Sequence, residues 1–274
     1  MSMNTIQAAP SSEVLSAFGL PTVTPRLLAD GSGMSWSVAG AILKPALDPL
    51  EAQWTAELYA GLPEQGFRVP RPLRTATGSY LQDGWCAWKF ISGSHHNAGD
   101  WPALLACCIA FHTALAGIDP PGFLAMERHH WALADRIAWG EERPGPRWSL
   151  LAAITELQAQ LDDADRRLPR QLIHGDFTGN LLYAQDLAPA VIDFSPFWRP
   201  AAYAMAIALA DALAWHNAPD SLFDEARSHG VTDSLIRRAV IFRLAACCAS
   251  PDSGIDDRLA ERQAYGKVLK LIDS

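Results

Sequence analysis

The stretch Leu172-Ile173-His174-Gly175-Asp176-Phe177-Thr178-Gly179-Asn180-Leu181-Leu182 constrains this chain more than any other. An apolar strand runs into a polar loop carrying His, Asp and Asn, and the loop runs into a second apolar strand. Asp193 follows 13 residues after Asn180, directly behind Ala190-Val191-Ile192. Read as a hairpin with polar groups gathered at its ends, the segment lets Asp176, Asn180 and Asp193 face one small volume. The plain alternative is ordinary turn Asp and Asn residues. One such loop speaks against that alternative to a degree; two loops speak against it strongly.

The residue types match one kind of chemistry. Phosphoryl transfer asks the protein mainly for positioning and charge neutralisation. Mg²⁺ takes a few oxygen ligands and keeps several waters, so one Asp and one Asn suffice from the protein. A second Asp, off the metal, can orient an acceptor hydroxyl and take its proton. His-Gly-Asp-x-x-x-Asn followed by Ile192-Asp193-Phe194 resembles the catalytic and metal-binding loops of the aminoglycoside phosphotransferase and choline kinase group, which is similar in fold to protein kinases. The resemblance implies ATP and Mg²⁺ as cofactors, with Asp176 as catalytic base and Asn180 as a Mg²⁺ ligand. Asp193, at the place of the kinase Asp-Phe-Gly aspartate, would be the main Mg²⁺ ligand. His174 matches the loop histidine that supports loop geometry. Asn180 stands 4 positions after Asp176, which fits the small-molecule group; the protein-kinase loop places its Asn five after the Asp.

The first third reads as strands with one helix. Thr22–Leu28, Ser35–Val38, Ala41–Lys44, Arg71–Thr75 and Trp85–Ile91 are strand-like, with Ala39-Gly40 as a hairpin turn. Asp48 caps a helix that Pro49 opens and Gly61 ends, and Leu50, Trp54 and Leu58 form its expected buried stripe. Lys44 is one of only 4 lysines against 18 arginines and ends the apolar run Ala41-Ile42-Leu43. That is where the resembling fold places the lysine that holds the α- and β-phosphates. Its glutamate partner is Glu57 or Glu51; Glu51 is better used at the helix cap, so Glu57 is expected. Asp30-Gly31-Ser32-Gly33 would be the phosphate-covering loop, with Gly31 and Gly33 allowing close backbone approach. The backbone around Lys89 and Ile91 aligns with the segment that binds the adenine edge.

After Ser92-Gly93-Ser94 the pattern turns helical: Trp101–Ala116, Arg128–Trp139, Ser149–Arg166, Ala201–Trp215, Asp233–Ala249 and Asp256–Leu271. The expected fold is therefore α+β and two-lobed, protein-kinase-like. Residues 1–93 form a small antiparallel sheet with one helix and the hinge, and residues 94–274 form a mainly helical lobe holding both polar loops.

The net charge of −8 disfavours a nucleic-acid partner. Most of it falls after residue 93, and Asp220, Asp224 and Glu225 would suit a cationic acceptor or simply a solvated helix. Five cysteines, four of them in adjacent pairs, suit neither a disulfide framework nor a zinc site. They read as reduced packing residues, which together with the lack of a leader or an apolar run long enough to span a bilayer gives a cytoplasmic, non-membrane expectation. His112 resembles a helix histidine of the group and reads as packing; His95-His96 and His129-His130 lack a third metal ligand. The segment Ser195-Pro196-Phe197-Trp198-Arg199-Pro200 departs from the group, where a Gly and a later Gly-Asp-Pro are usual, and Asp211 lies further along than the group's supporting aspartate. This variant resembles an actinobacterial branch of the group. The expected activity is transfer of phosphate from ATP to a hydroxyl of a small molecule: an aminoglycoside-like compound, an amino alcohol, a sugar or a related metabolite. The alternative is a nucleotide-binding pseudokinase. The sequence leaves the oligomeric state open.

Overall fold

The structure is a computed structural model and describes residues 8–28, 33–95, 99–126 and 129–273. The chain divides into two compact units, residues 1–94 with 182–192, and residues 95–181 with 193–274.

In the first unit, helix α1 (Ser12–Ala17) precedes strands β1 (Arg26–Leu27), β2 (Trp36–Val38) and β3 (Ala41–Pro45), helix α2 (Pro49–Gly61), and strands β4 (Leu81–Gln82) and β5 (Trp85–Lys89). The strands make one antiparallel sheet in the order β1-β2-β3-β5-β4. Ala39 and Gly40 join β2 to β3 with φ of 45° and 80°, the double positive φ that a tight two-residue hairpin needs. Alternation along β3 turns Ala41 and Leu43 into the core, where Val38, Trp85 and Ala87 meet Val14 and Leu15 of α1 and Phe18 just after it. Lys44, one position on, takes the opposite face.

Two expectations need correcting here. Arg71–Thr75 is not a regular strand: Leu73 N–H bonds Ala87 O, but Pro70 and Pro72 have no N–H to donate, and only the isolated Pro72–Trp88 bridge forms. The buried line of α2 is not Leu50-Trp54-Leu58. Leu50, in the first turn, is 66% exposed, and the buried residues are Ala56 and Tyr59. Gly61 is the last residue of the helix, as expected, and the following Leu62 caps it with its N–H on Leu58 O. The cap itself is as expected, Asp48 Oδ1 accepting from Leu50 N and Glu51 N at 2.8 and 3.1 Å.

The second unit contains α3 (Trp101–Ala114), α4 (His130–Ala138), α5 (Leu151–Gln158) and β6 (Gln171–His174). A hairpin of β7 (Leu181–Ala184) and β8 (Leu187–Val191) follows, then β9 (Pro196–Arg199), α6 (Ala201–Trp215), α7 (Ser221–Ser228), α8 (Asp233–Ala249) and α9 (Ile255–Ile272). Helices α6 and α8 are buried on nearly every side and form the centre of this unit. The expected helix 149–166 is broken: Asp162 caps a separate 3-10 turn by accepting from Ala164 N at 2.7 Å. Helix α1 and strands β4 and β9 go beyond the sequence reading, and α7 is the solvated helix considered around Asp224. Asp220 and Asp224 are exposed at α7.

Residues 182–192 belong with the first unit although they fall after residue 94 in sequence. Ser94 and Tyr183 exchange both backbone bonds, Arg68 N bonds Pro189 O, and Val191 N bonds Arg68 O. Among the described residues no helix is long and apolar enough to cross a membrane, and all five cysteines are buried thiols.

Candidate active site

The Asp176 loop is built from behind. Strand β6 pairs antiparallel with β9, from Gln171 opposite Arg199 to His174 opposite Pro196, and Gly175 N continues the ladder to Ser195 O at 2.9 Å. Strands β6 and β7 therefore do not form the hairpin read from sequence; β7 pairs with β8 instead. The segment after Asp193 is itself a strand, opened by Pro196 where no ladder donor is needed and continued by Phe197 and Trp198, which favour extended backbone. A Cβ on residue 175 would lie 2.4 Å from the Phe197 ring, so only glycine fits between the loop and β9.

Two histidines set the loop's height. His112 Nδ1 bonds Cys108 O at 2.7 Å and its Nε2 accepts from His174 N at 3.0 Å, which leaves the ring neutral with its proton on Nδ1. Burial pushes its pKa down to about 4. His174 Nδ1 in turn accepts from Asp176 N at 3.1 Å. Rings of Phe111, Phe177 and Phe194 pack around the His174 imidazole, and Thr178 Oγ1 ties the far side of the loop to Ala208 O of α6 at 2.9 Å. His112 is thus a packing and loop-setting residue. Of the other histidines, His129 caps α4 by accepting from Ala132 N; His96 lies outside the described residues.

Asp176 and Asn180 come together. Asn180 Nδ2 donates to Asp176 Oδ2 at 2.9 Å and to Asp176 O at 2.7 Å. The other carboxylate oxygen, Oδ1, accepts from Arg243 Nη2 of α8 at 2.8 Å. Arg243 is also held by Asp211 of α6, through Nε to Oδ1 at 3.0 Å and Nη2 to Oδ2 at 2.5 Å. Tyr265 of α9 donates its hydroxyl to Asp211 Oδ1 at 2.6 Å and receives the Trp215 indole N–H at 3.2 Å. Partial burial of Asp176 would raise its pKa, but the Arg243 charge, His174 and the hydrogen bonds from Arg243 and Asn180 outweigh that and hold it below the usual carboxylate value. Nearby on α9, burial pushes Glu261 up to about 7 against the attraction of Arg243, and its buried Oε2 has no hydrogen-bond partner among the described residues.

Arg243, Asp211, Tyr265 and Glu261 were not picked out as site residues from the sequence, though Asp211 was noted for its position. A signal existed: a lone arginine inside Val240-Ile241-Phe242-Arg243-Leu244-Ala245 has to find a partner if the helix is buried. The sequence did not say which carboxylate that would be.

Asp193 is exposed and has φ of 49°, a left-handed conformation that Asp tolerates better than most residues. The β6–β9 register ends at His174 opposite Pro196, with Gly175 N bonded to Ser195 O, so the chain at Asp193 leaves the same end of the ladder as the loop. Asn180, whose amide nitrogen is spent on Asp176, presents its oxygen as donor. An amide oxygen and a carboxylate are each the hard kind of ligand that Mg²⁺ accepts alongside waters and phosphate. Among the described residues no three His, Cys, Asp or Glu side chains gather as a closed metal site.

In the first unit, Lys44 is half-buried on β3, across from Cys86 of β5. Glu57 lies on the exposed side of α2, where its Oε1 accepts from Gln53 Nε2 at 2.6 Å. Gly31 lies outside the described residues; Gly33 has φ of 69°, which favours glycine. The Lys89 N–H is committed to Arg71 O at 2.8 Å, and Ile91 is half-buried just beyond the end of β5.

The comparisons with known proteins bear on the fold and the family. The structure resembles spectinomycin phosphotransferase APH(9)-Ia in its AMP-bound complex, with a TM-score of 0.64, 12% identity, and 96% of this chain and 97% of that one covered. It also resembles a thermostable mutant of aminoglycoside phosphotransferase APH(4)-Ia in complex with ADP and hygromycin B, with a TM-score of 0.61, 15% identity, and 95% and 98% covered. At these identities the likeness is one of fold, a protein-kinase-like α+β arrangement. No curated protein matches the sequence. The family model of the phosphotransferase enzyme family, APH, matches residues 41–239, a span that takes in Lys44 and both polar loops, and the chain belongs to that family.

Proposed function

We propose that this protein transfers phosphate from ATP, with Mg²⁺, to a hydroxyl group of a small molecule, with Asp176 as the base. The observation that carries this reading is the Asp176 carboxylate, fixed at one oxygen by Asn180 and at the other by Arg243 yet 48% exposed as a side chain. Each oxygen keeps a second lone pair, so either can accept the hydroxyl proton. Asn180 and Asp193 would hold Mg²⁺, which when bound supplies charge neutralisation on the transferring group. Lys44 would contact the nucleotide phosphates, and Gly31, Gly33 and the backbone at Lys89 and Ile91 the rest of the nucleotide. The ADP, AMP, hygromycin B and spectinomycin seen in the similar structures support a nucleotide and a hydroxyl-bearing acceptor.

The test is Mg²⁺-dependent ADP release against a panel of hydroxyl acceptors: aminoglycosides, amino alcohols, sugars and nucleosides. Asp193→Ala should abolish Mg²⁺-dependent nucleotide binding in calorimetry while the fold survives. Wild-type affinity in that variant would remove Asp193 from the metal site. Mg·ATP binding with no turnover on any acceptor or water would favour the pseudokinase instead.

A further inference from the structure

Asp211 alone neutralises Arg243, through two roughly parallel bonds from Nε and Nη2. The third bond, from Nη2 to Asp176 Oδ1, is therefore additional to charge balance, and it reaches from the core into the loop. Exposure rises along this line: the Arg243 and Asp211 side chains are 7% and 9% exposed, Asp176 48%. The buried end is anchored from three helices. Arg243 comes from α8, Asp211 from α6, and Tyr265 from α9 donates to Asp211, with the Trp215 indole behind it. The Trp131 and Phe242 rings lie 5.5 and 5.2 Å from the guanidinium and limit its freedom further.

We infer that Arg243 is the positioning residue for Asp176, an inference that rests on the reading of Asp176 as base. The guanidinium holds Oδ1 and the Asn180 amide holds Oδ2, so the carboxylate plane cannot turn. A base aimed in advance avoids the cost of being oriented at the moment of transfer. Arg243 acts through Asp176 and touches neither acceptor nor nucleotide.

The experiment is a double-mutant cycle read by Mg²⁺-dependent ADP release from ATP, with water as acceptor until a better one is found. Arg243→Lys keeps the charge beside Asp211 but lacks the planar fork that reaches two carboxylates. It should lower kcat roughly 10–100-fold, the scale of a misplaced catalytic group, while Mg·ATP affinity by calorimetry stays unchanged. In an Asp176→Asn background the same substitution should add less than about twofold. Because a buried ion pair survives joint removal better than loss of one partner, Arg243→Met with Asp211→Leu provides a second variant, expected to show the same loss of kcat. Wild-type turnover in either variant overturns the inference, as does full additivity with Asp176→Asn or a parallel loss of Mg·ATP affinity. A wild-type protein that binds Mg·ATP but releases no ADP brings down the function reading and this inference together. Wild-type turnover with an additive cycle brings down Arg243 alone.

Discussion

Arg199 and Arg243 lie in the same unit, both nearly buried, each between two carboxylates, and they end in different places. Arg199 of β9 gives Nε and Nη2 to Asp135 and Nη1 and Nη2 to Glu141, and sits 5.0 Å from the Trp139 ring. Arg238 lies 4.6 Å from the same ring and bonds Asp165, which also accepts from Ser234. These bonds tie α4, α8 and the turn before β6 to one another and to the strand behind the loop. Arg243 has the same chemistry, but its second carboxylate is Asp176, on the loop that carries the chemistry. A buried guanidinium can thus serve packing or set a reactive group, and what separates the two roles is where the last carboxylate sits: Glu141, 37% exposed, follows α4, whereas Asp176, 48% exposed, sits in the polar loop beside Asn180.

The comparison can be broken by substitution. The largest effect is expected at the open end: Asp176→Asn keeps the loop's size and should lower turnover ~10²–10⁴-fold, the range for loss of a general base. Its Mg·ATP affinity should stay near wild type and its unfolding midpoint should fall, because an amide can accept from only one of the two donors, Arg243 and Asn180; a wild-type rate would leave Asp176 with no more chemistry than Asp135. Next comes the closed network. Arg199→Met leaves Asp135 buried and unpaired and should cost about 3–5 kcal/mol of stability, measured by urea unfolding. A cost of about 0–1 kcal/mol, as for an exposed pair, would erase the distinction drawn here.

The smallest effect concerns the histidine beneath the loop. His112 has its pKa lowered to about 4 by burial, so the unfolded chain binds the proton more readily. Its contribution is complete above pH 6.5 and is lost as pH falls toward 4, roughly 3 kcal/mol in all. Glu261, raised to about 7, works in the opposite sense: its contribution is complete below pH 4.5 and is lost as pH rises through 7. The two slopes oppose each other over nearly the same window. Relative to wild type, His112→Gln should therefore gain stability as pH is lowered from 6.5 to 4, and a difference that does not change with pH would show that His112 is not held neutral by burial.

What the sequence by itself determined is local. The Ala39-Gly40 turn, the Asp48 cap, helices α6 and α8 and the polar loop with its two following strands follow from neighbouring residues: turn glycines, capping oxygens, apolar periodicity. Lys44 could be placed on a strand, and Asp176 and Asn180 in one loop, because each lies within a few positions of what defines it. Where local rules conflict, the sequence misled. Proline removed a strand at Arg71–Thr75, and the stripe on α2 was placed without knowing which side the sheet would cover. Only the tertiary structure decided that β6 pairs with β9 rather than β7, which turned a departure from the family pattern into the strand that supports the Asp176 loop. The same holds for the partners of the buried arginines. Arg199 meets Asp135 across 64 residues and Arg243 meets Asp176 across 67. A charge in an apolar helix announces that it needs a partner; which carboxylate arrives is set by how α4, α6, α8 and α9 pack, and that is a property of the whole core rather than of any segment.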